Sequence, residues 1–280
     1  MNALVYRGLR LFFKNRQAVM GAFIAAIILI VLYVFLLGDN LASQLSAVAQ
    51  PQMLVDTWML AGVIGIVSAS STFGAASLLT RDRERNVYTD FMISPIKKSK
   101  IMLGYFLSTF LVSLLITVAV VIISELYIVF VSGGALLSLK QAAMLAVACL
   151  FTVFCSSAFM FFIVSFFNRM DTFSTMTSII GPLLGFITGC YVPIGSLPET
   201  AHTVVNYFPL TSGIVLIRQI LTENVLATEN TQVTQTIKEE LGITMNFQHE
   251  TFVCLAILAI SGIVFLAIAL WNIKRFEAKR

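Results

Sequence analysis

Charge is what this sequence has least of. Charged residues make up 11% of its 280 positions, against 58% hydrophobic. A soluble globular domain carries about 25% charged and roughly 45–50% apolar residues. So few charges cannot cover the surface of a chain this long, so lipid must replace water around much of it. Histidine is nearly absent: His202 and His249 are the 2 in the chain. Both fall outside the long apolar runs, which leaves no base to activate a nucleophile inside a bundle. No His-Glu-x-x-His metal motif and no Gly-x-x-x-x-Gly-Lys-Ser/Thr phosphate loop occurs, so the chain has neither the zinc-hydrolase signature nor that mode of ATP binding. No basic loop is interleaved with stacking aromatics, which argues against nucleic acid. The 4 cysteines, Cys149, Cys155, Cys190 and Cys254, all lie in apolar stretches without metal-ligand spacing. They read as small packing residues, with a Cys190–Cys254 disulfide conceivable because both fall toward the same end of their spans.

What is abundant is long apolar sequence. Crossing a hydrocarbon core takes about 20 such residues, and six stretches qualify: residues 18–37, 57–80, 101–131, 141–167, 173–192 and 251–273. In lipid they must be helices, because an open strand would leave its backbone groups unpaired. The first is no signal peptide: its apolar run exceeds the roughly 7–15 residues of a signal core, and the small triplet Ala47-Val48-Ala49 lies far downstream. The expected fold is an all-α integral membrane bundle over residues 17–280. Of the 18 Lys and Arg residues, all but Lys140, Arg218 and Lys238 fall on one side of such a six-span chain. Positive loops stay in the cytoplasm, so both termini are expected there, in a multi-pass protein of the cell membrane. An odd number of spans would spoil the segregation.

Residues 1–16 alternate Leu4, Leu9, Leu11, Phe12 and Phe13 with Arg7, Arg10 and Lys14. Such a helix can lie in the headgroup layer among membrane lipids; a plain basic flank is the simpler alternative. The loop 81–100 alternates charge through Arg81, Asp82, Arg83, Glu84 and Arg85, then turns apolar at Val87, Tyr88, Phe91 and Met92. This predicts a short helix with an exposed apolar side, ended by Pro95, which disfavours helix at Ser94. From composition it is either a docking knob for a partner protein or a solvated connector anchored to lipid by its aromatics.

Arg83-Glu84-Arg85, followed by Ser94-Pro95-Ile96 and then Lys100-Ile101-Met102-Leu103-Gly104, resembles the cytoplasmic loop of type-2 ATP-binding-cassette (ABC) exporter permeases. Asn86-Val87 stands where that family often has Gly-Thr; Asn substitutes for Gly where a left-handed backbone is needed. A second match is Gly181-Pro182-Leu183-Leu184-Gly185-Phe186, then Gly189, Pro193, Leu197-Pro198 and Tyr207-Phe208-Pro209-Leu210. It is similar to the family's fifth span and the re-entrant turn behind it. The resemblance implies that Arg83, Glu84, Arg85, Asn86, Val87, Tyr88, Asp90, Phe91 and Met92 form a coupling helix seated on a separate cytosolic ABC ATPase subunit. It also implies two permease copies, or one with a similar partner, and ATP and Mg bound by the ATPase rather than by this chain.

Residues 193–221 are too apolar for an ordinary loop and too broken by Pro193, Pro198, Pro209 and Gly213 for a span. That pattern fits a re-entrant hairpin buried against protein, followed by a polar loop over 222–248 with a short surface helix near Gln232–Leu241. Small residues four apart permit close helix approach. Thr177, Gly181, Gly185 and Gly189 form one such stripe, and Gly62, Gly65, Ser70, Gly74 and Ser77 a looser one. They are packing positions inside the bundle, or a dimer seam or substrate wall; the resembled family turns these two spans toward the partner permease. Glu125 is the one acid inside a long apolar run, but at about 1.5 Å per residue it reaches the outer interface. It is either a plain interfacial acid or part of an outer gate with Pro193, Pro198 and Pro209. The function implied is export of an amphipathic cargo: a drug, antibiotic, lipid or lipopeptide. Polysaccharide export is the alternative within the family. A stand-alone secondary transporter would ordinarily show midplane charge and internal repeats, and neither is evident; a scaffold or receptor would need neither the coupling-like loop nor the re-entrant turn.

Overall fold

The computed structural model describes residues 2–33, 38–45, 48–191, 193–196, 198, 205, 207–227, 231–245 and 250–277. The described residues are helical throughout, joined by turns. In order they are α1 (Asn2–Lys14), α2 (Arg16–Leu32), α3 (Gly38–Gln44), α4 (Pro51–Glu84), α5 (Val87–Met92), α6 (Lys98–Phe130), α7 (Leu139–Val164), α8 (Met170–Ile187), α9 (Pro209–Leu226), α10 (Thr231–Glu240) and α11 (Glu250–Glu277). A 3-10 turn, Ile194–Ser196, follows α8.

Local chemistry sets the boundaries. Pro51 opens α4, where its missing N–H costs nothing. Ser138 caps α7: its hydroxyl accepts from the Gln141 N–H, and the Gln141 side chain accepts from the Ser138 N–H, so two otherwise orphaned donors are satisfied. Pro209 opens α9 in the same way as Pro51.

Helix α4 is the axis of the bundle. It packs against α2, α6, α7, α8 and α9, and 83% of its most apolar stretch is buried, against 22% for α11. Because α4 faces protein all round, small side chains line it. A Cβ added at Gly65 would strike Ile214 of α9 at 2.3 Å. The outer helices carry the opposite signature. Ile24, Ile27 and Ile28 on α2, Leu115, Ile122 and Ile123 on α6, and Ile260, Ile263 and Val264 on α11 are exposed. A continuous apolar exterior of this extent is untenable in water, and it is what a bilayer requires.

Four helices, α4, α6, α7 and α11, are long and apolar enough to cross a membrane, and α1 with the first part of α2, meeting at 75°, makes up to five if the bent pair is one span. The fifth expected span is the weakest. Helix α8 has 18 residues, carries Asp171 and a run of Ser and Thr in its first half, and encloses Pro182. It ends at Ile187 rather than 192. Gly189 therefore lies beyond it, in a turn with φ of +67°. This corrects its place as the fourth member of a helical stripe: only Thr177, Gly181 and Gly185 share the helix.

The hairpin expected over 193–221 is described only in part. Its returning leg is α9, one unbroken helix that runs to Leu226, so the polar loop begins later than residue 222. The surface helix appears as α10. His202 and His249 lie outside the described residues. All four cysteines are free thiols, so Cys190 and Cys254 are not bridged.

Candidate functional site

The strongest concentration of specific interactions lies where α4 ends, α5 turns and α6 begins. Helix α4 stops at Glu84, and Asn86 adopts a left-handed backbone with φ of 61°. Asn pays less for that conformation than most residues, and the reversal throws α5 across the end of the bundle. The Ser94 hydroxyl donates to the Phe91 carbonyl at 2.6 Å and closes α5 just before Pro95.

Two arginines grip α5, each against one of its aromatic rings. Arg7 of α1 donates to both oxygens of Asp82, at 2.6 and 2.9 Å, and its guanidinium carbon lies 5.5 Å from the centre of the Phe91 ring. Asp82 is 3% exposed and also accepts from the Tyr105 hydroxyl at 2.6 Å. A buried carboxylate is tolerable only when paired in this way. Arg83 points the other way. It donates to the carbonyls of Val164, Ser165 and Phe167 at 3.3, 3.4 and 3.0 Å, at and just beyond the C-terminal end of α7, where carbonyls lack intrahelical partners. Its guanidinium also sits 5.5 Å from the Tyr88 ring centre. Thus α5 reaches α1 and α6 through Phe91, Arg7, Asp82 and Tyr105, and reaches α7 through Tyr88 and Arg83.

The coupling residues separate into two faces. Tyr88 is buried, against the expectation of an exposed apolar side: its ring packs by Tyr105 and its hydroxyl approaches the Met102 sulfur at 3.9 Å. The cause is helical phase, since the residue that meets Arg83 cannot also face outward. Val87, Phe91 and Met92 are half-buried, while Glu84, Arg85, Asn86 and Asp90 are exposed. The outward apolar contact falls instead to Ile93, 81% exposed, and Ile96, 44% exposed.

The seam glycines meet this chain's own side chains. Gly74 faces the Phe12 ring of α1 at 3.1 Å from an added Cβ, Gly62 faces Arg218 and Cys190, Gly181 faces Phe73, and Gly185 faces the Tyr191 ring. All four therefore have a packing contact within the bundle. Ser70 is half-buried with a hydroxyl that has no partner.

Of the outer-gate residues, Pro193 precedes the Ile194–Ser196 turn, where Gly195 lies against the backbone of Glu240; Pro198 is described without regular structure, and Pro209 opens α9. Glu125 stands apart from them, on a groove of about 470 Å³ between α6 and α7. Among the described residues no group of three or more His, Cys, Asp or Glu side chains could hold a metal ion.

Sequence reasoning missed the Arg7–Asp82–Tyr105 network, because an alternating charge run reads as solvated. It also counted Arg218 only as an outer-side charge within the apolar 193–221 segment and gave it no role, whereas the structure buries it completely among backbone carbonyls. The signal was there: a lone cation inside Gly213-Ile214-Val215-Leu216-Ile217-Arg218-Gln219-Ile220-Leu221.

The family model described as "ABC-2 family transporter protein" matches residues 39–271. A search of the curated proteins finds no match.

Proposed function

The chain belongs to the ABC-2 family of transporter proteins, a membrane permease family, and from that premise we propose that it is the membrane subunit of an ATP-driven exporter of amphipathic molecules. Two such subunits, or one with a similar partner, work with two separate ATPase subunits that bind ATP and Mg. The chain crosses the cell membrane six times, α2 and α8 supplying the two shortest crossings, with both termini and α5 on the cytoplasmic side.

The observation that carries this reading is the grip on α5. A six-residue helix has no stability of its own, yet here it is tied to α1 and α6 by Arg7 and to α7 by Arg83, with Ile93 and Ile96 turned outward. A passive connector needs no such ties. A lever that must pass the motion of an ATPase into several helices at once does. The apolar groove on α6 and α7 favours amphipathic cargo over polysaccharide.

The test is Ile93→Asp. Because Ile93 is 81% exposed, the variant should fold and insert normally, while a carboxylate enters an apolar docking cleft without a partner. A tagged wild-type protein purified from native membranes should bring an ATPase with it, and Ile93→Asp should not. Recovery of equal ATPase with both proteins would overturn the assignment of α5 as the docking element.

A further inference from the structure

The groove beside Glu125 is built in two unlike parts. Its floor and walls come from one face of α6, with Leu114, Val118 and Ile122, and from one face of α7, with Leu145 and Leu150. These are apolar throughout. Its upper end is closed by Leu136 and Leu137 of the α6–α7 connection and contains Glu125. The distance along α6 from Glu125 to Leu114 is about 16 Å at 1.5 Å per residue, the reach of one alkyl chain.

Half-buried Glu125 lacks what buried Asp82 possesses. Asp82 has a guanidinium and a phenol; the Glu125 carboxylate has only the Leu137 backbone within reach, and its Oε1 is buried and accepts no hydrogen bond. It forms no salt bridge among the described residues, and Lys140, the nearest cation in sequence, is exposed. A carboxylate without a cation, facing an apolar surface, is costly. A cation arriving on an alkyl chain removes that cost and fills the groove at once.

We propose that this groove binds one cationic amphiphile, with its ammonium group on Glu125 and its chain laid between α6 and α7. The inference rests on the exporter reading in one respect only, that the bound amine belongs to the cargo class; binding itself needs no ATPase. A carboxylate at the headgroup end and hydrocarbon below select a single-chain amine over a fatty acid of equal length. Neutral lipid gains nothing from Glu125.

The experiment uses the full chain in phosphatidylcholine nanodiscs and a dodecylamine carrying a mid-chain diazirine, with the matching dodecanoic acid as charge control. Labelled peptides are located by mass spectrometry. The amine should label α6 and α7 saturably around Val118 and Leu145, and the acid should not. Glu125→Gln should weaken amine labelling by about tenfold or more, the effect of removing one partner of a desolvated charge pair. Val118→Trp, which fills the groove and leaves the carboxylate in place, should abolish it. Equal labelling by amine and acid, or labelling unchanged in Glu125→Gln, would show an apolar groove that holds lipid without regard to charge and would overturn the proposal. Absence of labelling by either probe would show that the groove holds neither amphiphile, and would overturn it too. Neither result bears on whether Ile93→Asp loses its ATPase, so the two readings fail separately.

Discussion

The guanidinium of Arg218 lies 4.4 Å from the centre of the Trp58 ring, and both side chains donate to the same carbonyl, Leu241, at 3.5 and 2.7 Å. Arg218 also donates to Gly189 at 2.6 Å and to Gly242 at 3.4 Å. Its partners are three backbone carbonyls and an aromatic face, with no acid among them. One side chain of α9 thus holds the turn after α8, the turn after α10 and the N-terminal part of α4 together, so the chain's returning leg is fixed from inside.

That arrangement predicts a graded loss of stability. Arg218→Leu leaves the Gly189 and Gly242 carbonyls without their donor, and should cost on the order of 3 kcal/mol. Trp58→Phe keeps a ring beside the guanidinium but removes the Nε1 donation to Leu241 and part of a fully buried ring, at about 2 kcal/mol. Thermal unfolding of the purified protein in nanodiscs, followed by loss of the monodisperse peak, should rank wild type above Trp58→Phe and Trp58→Phe above Arg218→Leu. A wild-type midpoint for Arg218→Leu would mean that the turn at Gly189 is held by other contacts.

The ion pair between Arg7 and Asp82 joins residues 75 positions apart and binds the first helix to the bundle. Removing either partner strands the other, so Arg7→Ala and Asp82→Ala should each destabilise, Asp82→Ala less severely because it leaves an arginine that is 31% exposed and can rehydrate. The double variant should be no worse than Arg7→Ala alone, giving an interaction energy within roughly 0.5–3 kcal/mol in a double-mutant cycle. Strict additivity would show that the two side chains act independently and that α1 is held by apolar contacts alone.

How far the sequence announces all this differs from one element to the next. Apolar runs with few charges announce α4, α6, α7 and α11 because a bilayer imposes length and composition on each span separately. Asn86 and Pro95 frame α5 because each acts on its own backbone. Arg7 with Asp82, and Arg218 with Trp58, are products of three-dimensional closure, and no local pattern encodes which buried carbonyl a distant arginine will meet. The phase of α5 belongs to the same class. Tyr88 and Ile93 look equally fit to face a partner, and only the position of Arg83 turns one inward and leaves the other out. Gly189 shows the converse: a spacing of four fits a helical stripe, but the helix ends two residues earlier.

The tightest glycine contact among the described residues gives the sharpest test of how α1 is seated. A Cβ added at Gly8 would lie 1.8 Å from the Ser108 Oγ and 2.7 Å from its Cβ, so the α1 backbone rests directly on the Ser108 side chain of α6. Gly8→Ala must push the two helices apart, even though Ala is the better helix former by about 1 kcal/mol. The displacement would carry Arg7, one residue away, off Asp82. Gly8→Ala should therefore lower the unfolding midpoint and increase amide exchange along α1. Ser108→Gly deletes both obstructing atoms, so the pair Gly8→Ala with Ser108→Gly should recover most of the protection in α1, while Ser108→Gly alone should leave α1 as protected as in wild type. If Gly8→Ala alone leaves α1 fully protected, the helix sits further from α6 than these distances require, and its hold on α5 through Arg7 is correspondingly looser.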